Sequence, residues 1–179
     1  MSATGRNLPG KKRRKDDAYF TPSWVTLSIL PFLEPADHAL DPCAGNGAIL
    51  SVLHGLHPAP KCSGIEIDRK KATISRSRCG DALTTDWPKA DLVITNPPYS
   101  LALEFILKAQ EQLPHAERAF LLRLNFLGSQ GRSEFHRKYP ADIYVLSRRP
   151  SFTEDGKTDA TEYAWWVWGP GHGGRWKIL

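Results

Sequence analysis

Apolar positions along the chain switch repeatedly between a helical period and short unbroken runs, and that switching predicts the layout. After Thr21-Pro22, a capping threonine followed by a proline suited to a first helical turn, Val25, Ile29 and Phe32/Leu33 recur at helical spacing, and Pro31 and Pro35 punctuate the end. A short strand closing at Leu40 leads into a glycine turn, and Ile49, Val52, Leu53 and Leu56 then form a second helical stripe. Residues 61–67 read as a strand ending near Glu66, and 68–78 as a helix. Residues 91–95 are a brief β-branched run, the pattern of a buried strand. Ser100 is placed to cap a helix carrying Leu103, Ile106 and Leu107 that stops at Pro114. Strands are predicted at 119–124, 142–146 and 162–168, with a polar loop over 125–132 and a short helix over 133–139.

Strands alternating with helices predict an α/β fold: a mainly parallel, seven-stranded, Rossmann-like sheet with helices on both faces. The closing strands have no long helix between them, which predicts an antiparallel hairpin at one edge. One domain over 18–168 is expected, preceded by a basic arm (1–17) and followed by a Gly/Pro-rich, irregular tail (169–179), with no repeat. No apolar run reaches membrane-spanning length and the N-terminus lacks a signal-like stretch, so an intracellular protein with no membrane partner is expected. Cys43, Cys62 and Cys79 have no metal-like spacing, and reduced thiols and no metal are expected. The net charge of +5 is modest and partly concentrated at 11–15, in a segment too polar to fold alone. It suits a polyanionic partner, or simply a solvated tail.

Candidate chemistry sits at strand ends. Pro97 and Pro98 lack N–H groups and have fixed φ, so Asn96 and Tyr99 are held stiffly where the 91–95 strand ends, the place where open α/β sheets bind ligands. Gly45 and Gly47 follow a strand, permit positive φ and a close backbone approach to a ligand, and lie beside the carboxylate of Asp41. Glu66, about twenty residues after the glycines and ending the next strand, is placed to accept from a ribose diol. Asp81 is placed either to accept from an adenine amino group or to cap its own turn.

Asp41-Pro-Cys-Ala-Gly-Asn-Gly47 followed by Asn96-Pro-Pro-Tyr99 resembles the amino-methyltransferase branch of class I S-adenosylmethionine-dependent enzymes. Tyr19-Phe-Thr-Pro22 resembles the N-terminal motif of the DNA adenine-N6 methyltransferases, and 147–152 with the aromatic strand to Trp168 is similar to small phage and prophage members. The resemblance implies a methyl transfer from S-adenosylmethionine, leaving S-adenosylhomocysteine, to the N6 amine of adenine in DNA, in a cytoplasmic, nucleoid-associated monomer or homodimer. It assigns Asp41, Cys43, Ala44, Gly45 and Gly47 to the cofactor's amino-acid part, with Tyr19, Phe20, Thr21 and Pro22 closing over it. Glu66 and Ile67 fall at the ribose and adenine face, and Asp81 and Ala82 at the adenine edge. Asn96, Pro97, Pro98 and Tyr99 are the catalytic motif, Tyr99 stacking on a flipped base. For the polymer, Phe152 is either a second aromatic contact or core, and Arg148 and Arg149 either phosphate contacts or a solvated face.

Three other readings share these residues: RNA adenine as acceptor, a protein glutamine as acceptor, or a silent fold used as a nucleic-acid-binding module. The glutamine enzymes usually carry an N-terminal helical domain for which there is no room. No target-recognition domain is expected, so 125–138 is the candidate substitute and a short or relaxed sequence preference follows.

Overall fold

The computed structural model describes residues 20–152 and 160–179; the basic run at 11–15 and Tyr19 lie outside them. Strands β1 (His38–Asp41), β2 (Lys61–Glu66), β3 (Arg78–Cys79), β4 (Leu92–Thr95), β5 (Glu117–Arg123), β6 (Asp142–Val145), β7 (Tyr163–Trp168) and β8 (Trp176–Ile178) form one sheet in the order β3-β2-β1-β4-β5-β7-β6-β8. Strands β1 to β5 run parallel; β7 lies antiparallel between β5 and β6. The order reverses where β1 meets β4, which opens a crevice beyond their carboxyl ends.

Both faces of the sheet are covered, so every residue of β4 and β7 is buried and these strands read as continuous apolar runs. On one face Leu40, Val93, Phe120 and Trp166 pack against Phe105, Ile106 and Ala109 of α4 (Ala102–Gln112). On the other, Ala39, Ile94, Leu121 and Trp165 pack against α1 (Ser23–Ile29) and α2 (Ala48–His54). Trp165 Nε1 donates to the Val25 carbonyl at 2.9 Å, fixing α1 to the sheet. The remaining helices are α3 (Arg69–Ile74), capped by Asp68, and α5 (Ser133–Lys138).

Four sequence expectations are corrected. The sheet has an eighth strand, because Trp176–Ile178 of the tail expected to be irregular pairs with β6 in parallel. Its glycines and proline bend the approach, while β6 offers an open edge. The α3 helix ends at Ile74, with Arg76 at positive φ, rather than running on through residue 78. Pro22, not Thr21, is the N-cap of α1, with no side-chain cap bond. Ser100 lies inside a 3-10 turn, Tyr99–Leu101, and caps nothing; Leu101 precedes α4.

The eighth strand is held by a buried polar cluster at the sheet end opposite the crevice. His172 bridges two strand-leading carboxylates, with Nε2 2.6 Å from Glu117 Oε1 and Nδ1 2.9 Å from Asp142 Oδ2. Burial raises the Glu117 carboxyl above its usual range against the opposing His172 contact. Burial pushes Asp142 the same way, but bonds from the Arg175 side chain and the Gly173 and Arg175 amides hold it well below the usual carboxylate range. Replacing His172 by Ala leaves two buried carboxylates facing an unfilled gap. A loss of about 2–4 kcal/mol is expected in a urea titration; a midpoint unchanged from wild type would show that the bridge contributes nothing.

Candidate active site

The crevice is built from four strand ends. After β1, Gly45 (φ 54°) and Gly47 (φ 84°) turn the chain in a conformation glycine adopts without strain, and Gly47 amide donates to the Ala44 carbonyl at 2.7 Å. A Cβ on Gly47 would lie 3.0 Å from Ser75 Cβ, so the turn is closed sterically as well. Glu66, 4% exposed, ties this turn to β2: Oε2 accepts from Gly45 N and Oε1 from Asp68 N, both at 2.8 Å. Asp41 is fully enclosed; its Oδ1 accepts from Cys43 N at 3.0 Å and from Thr95 Oγ1 at 2.7 Å, joining the turn to β4. Burial raises its carboxyl to about 7, outweighing those two bonds, with repulsion from Glu66 adding to the rise.

A cleft of about 160 Å³ lies between this turn and the end of β4, walled by Cys43, Gly45, Glu66, Ile67, Lys71, Asp81, Ala82, Asn96, Pro97 and Pro98. A smaller cavity of about 20 Å³ adjoins it, walled by Thr21, Asp41, Cys43, Ala44, Gly45 and Asn96 among others. Asn96 borders both. Its Nδ2 donates to Thr21 Oγ1 at 3.1 Å, whereas its Oδ1 is buried with no hydrogen-bond partner among the described residues. A buried carbonyl of this kind costs free energy unless something arrives to donate to it.

Tyr99 is half-buried, with the Arg123 guanidinium 4.8 Å from its ring centroid and Tyr163 at 5.6 Å. Asp81 does two things at once: it borders the cleft and its Oδ1 accepts from Leu83 N at 2.9 Å, capping its own turn. Trp87 Nε1 donates to the Ala82 carbonyl at 2.8 Å and Lys108 Nζ to the Leu83 carbonyl at 2.9 Å, so this segment of the cleft wall is fixed from two sides.

The donor and acceptor set fits an S-adenosylmethionine molecule lying across the crevice. The Glu66 carboxylate and an apolar Ile67, 53% exposed, line the cleft wall, and a backbone cradle with the Asp41 carboxyl stands at the small cavity. Among the described residues no group of three or more His, Cys, Asp or Glu side chains is placed to hold a metal ion.

The family model described as DNA N-6-adenine-methyltransferase (Dam) matches residues 68–164, more than half of the chain and including Asn96–Pro–Pro–Tyr99. The chain belongs to that family. A modification methylase, CviBIII, of Paramecium bursaria Chlorella virus NC1A is 28% identical over 108 residues, covering 52% of this chain and 29% of that protein. The chain thus spans less than a third of the length of this curated relative. Among solved structures, a dimethyladenosine transferase from Plasmodium falciparum superposes with a TM-score of 0.64 at 17% identity, covering 85% of this chain and 63% of that one. A precorrin-6y C5,15-methyltransferase from Geobacter metallireducens gives 0.55 at 19% identity, over 87% and 96%. These neighbours establish the class I methyltransferase fold.

Not every expected residue of this Dam-family chain reaches the crevice. Phe20 is 38% exposed and binds through its amide to the Phe152 carbonyl; neither it nor Pro22 borders either cavity. Phe152 is the core residue of its two readings: it is 5% exposed and packs on Tyr163 at 4.9 Å. Arg148 stacks on Trp24 at 4.1 Å and Arg149 pairs with Glu162, both at the surface. Sequence reasoning missed Lys71, Leu101 and Phe105 in the cleft wall and Arg123 over Tyr99. Leu101 and Phe105 stand four apart directly after the Asn-Pro-Pro-Tyr turn, a spacing that marks one helix face; nothing local marks the other two.

Proposed function

We propose that this chain transfers a methyl group from S-adenosylmethionine to the exocyclic N6 amine of adenine in DNA. The observation that carries the proposal is the buried Asn96 Oδ1, without a hydrogen-bond partner among the described residues, at the junction of the two cavities. When bound, S-adenosylmethionine supplies an electrophilic methyl carbon on a sulfonium. The chain has to make the amine a nucleophile, because its lone pair is delocalised into the ring. Asn96 Oδ1 and the Pro97 carbonyl accept the two amine hydrogens, which favours a tetrahedral nitrogen whose freed lone pair can attack. As positive charge develops on nitrogen those two bonds strengthen, so they stabilise the transition state more than the ground state. The nitrogen then gives up its extra proton to water. Tyr99, backed by Arg123, offers its ring to a base turned out of the duplex.

The polymer face is proposed to be compact. Arg132 is spent inside the 124–132 loop, donating to the carbonyls of Asn125, Phe126 and Gly128. Exposed Arg137 at the end of α5 is offered to phosphates, and exposed Lys138, Arg148 and Arg149 can exchange their contacts with Tyr139, Trp24 and Glu162 for them; such contacts position a duplex without reading it. A short or relaxed target sequence follows. Expression in a host lacking adenine methylation, followed by single-molecule sequencing of its DNA, should show N6-methyladenine at a short motif; a genome without modified adenine contradicts the proposal.

A further inference from the structure

We infer that Thr21 holds the Asn96 amide with its oxygen toward the acceptor base, and so acts as a positioning residue for methyl transfer. The inference rests on the methyltransferase reading above. A primary amide is chemically two-ended: its oxygen can accept an amine hydrogen, whereas its NH2 would meet that amine donor to donor. The end of Asn96 that faces the crevice therefore decides whether the clamp works. In this fold the NH2 is occupied by Thr21 Oγ1 at 3.1 Å, and the oxygen has no partner among the described residues at the junction of the two cavities.

Thr21 is well placed to hold that choice. It is 6% exposed, on the stretch entering α1, and the two residues lie 75 apart in sequence. The Phe20 amide donates to the Phe152 carbonyl just before it, and Pro22 (φ −60°) starts α1 just after it. The β-branch of threonine leaves its side chain few rotamers. From the opposite side Thr95, next to Asn96, is tied by its hydroxyl to the buried Asp41. Thr21 also borders the small cavity.

The test is a substitution series read in two backgrounds. Thr21→Val keeps the shape and removes the acceptor, and Thr21→Ser keeps the acceptor. With the native Asn96, the valine variant should lose about tenfold or more in kcat, with the cofactor Kd within about threefold of wild type, and the serine variant should recover most of the loss. In an Asn96→Asp background the two ends of the side chain are alike, so the valine change should cost less than about twofold. The Asn96 side-chain NH2 signals, identified by their loss in Asn96→Asp, should show slow exchange in wild type and Thr21→Ser but not in Thr21→Val. An equal loss in both backgrounds, a serine variant as poor as valine, or unchanged NH2 signals in Thr21→Val would overturn the inference. If the aspartate background has no turnover, the serine-versus-valine contrast and the NH2 signals decide. A wild-type protein that transfers no methyl group contradicts the methyltransferase reading instead, and the NH2 signals still decide the Thr21 contact.

Discussion

Asn96→Ala should slow methyl transfer by about 100-fold or more while leaving the cofactor bound. The substitution removes the carbonyl that accepts from the amine and keeps the backbone, which Pro97 and Pro98 constrain on their own. The lost interaction acts chiefly in the transition state, and removing one such preorganised group typically lowers kcat by about 100- to 1,000-fold. Truncation also removes a buried oxygen that has no partner among the described residues, at the cost of leaving Thr21 Oγ1 without its donor, so stability should move by less than about 1 kcal/mol. Single-turnover methylation and calorimetric titration with S-adenosylmethionine separate the two effects. Turnover near wild type would remove Asn96 from the mechanism.

Asp41 should give the free protein an unusual pH response. Its carboxyl is raised to about 7 in the folded chain, from an ordinary value of 3.8, chiefly by burial. A group raised on folding stabilises when protonated. That contribution is therefore complete below pH 4 and is lost as pH rises through 7. It amounts to about 4 kcal/mol at most, since each tenfold change in proton affinity corresponds to about 1.4 kcal/mol. Asp41→Asn keeps an acceptor for Cys43 N and Thr95 Oγ1 but cannot ionise. The variant should unfold at higher urea than wild type at pH 8, and the difference should shrink toward pH 4. Glu117 is raised as well, but it titrates in both proteins and cancels from the comparison.

Cofactor binding should couple to the same proton. A cationic amino group placed beside Asp41 favours the carboxylate, so binding at pH 6 should release about one proton and affinity should rise toward pH 7. Titrations in two buffers with different ionisation enthalpies would report that proton, and Asp41→Asn should remove it. Equal heats in both buffers for wild type would mean that Asp41 meets no positive charge from the ligand.

Much of the site is legible in the amino-acid sequence alone, because it lies where local signals are strong. The Gly45 and Gly47 turn and the Asn96–Tyr99 turn are marked by residues with unusual backbone chemistry, Glu66 by a carboxylate ending an apolar strand, and all three segments converge on the crevice between β1 and β4. Pairing across distance is not legible in the same way. Thr21 is a good helix cap by composition, yet its hydroxyl is taken by a residue 75 positions away. Phe152 is equally apolar as a base platform and as core, and only Tyr163 beside it decides. The tail reads as irregular because Gly169 to Gly174 is rich in turn residues, while Trp176–Ile178 is a strand only because β6 has a free edge. The carboxylates of Glu117 and Asp142 carry no sequence signal, since their meaning comes from His172, which joins them from the last loop.

The central claim is tested most directly by methyl transfer from labelled S-adenosylmethionine to defined duplex DNA, single-stranded DNA, RNA and protein, followed by digestion to the modified nucleoside or amino acid. Label should appear in N6-methyladenosine's deoxy form from DNA, at a rate about 100-fold or more lower with Asn96→Ala. Label found in RNA, in cytosine or in glutamine, or found in none of the four by a protein that binds the cofactor, would contradict it.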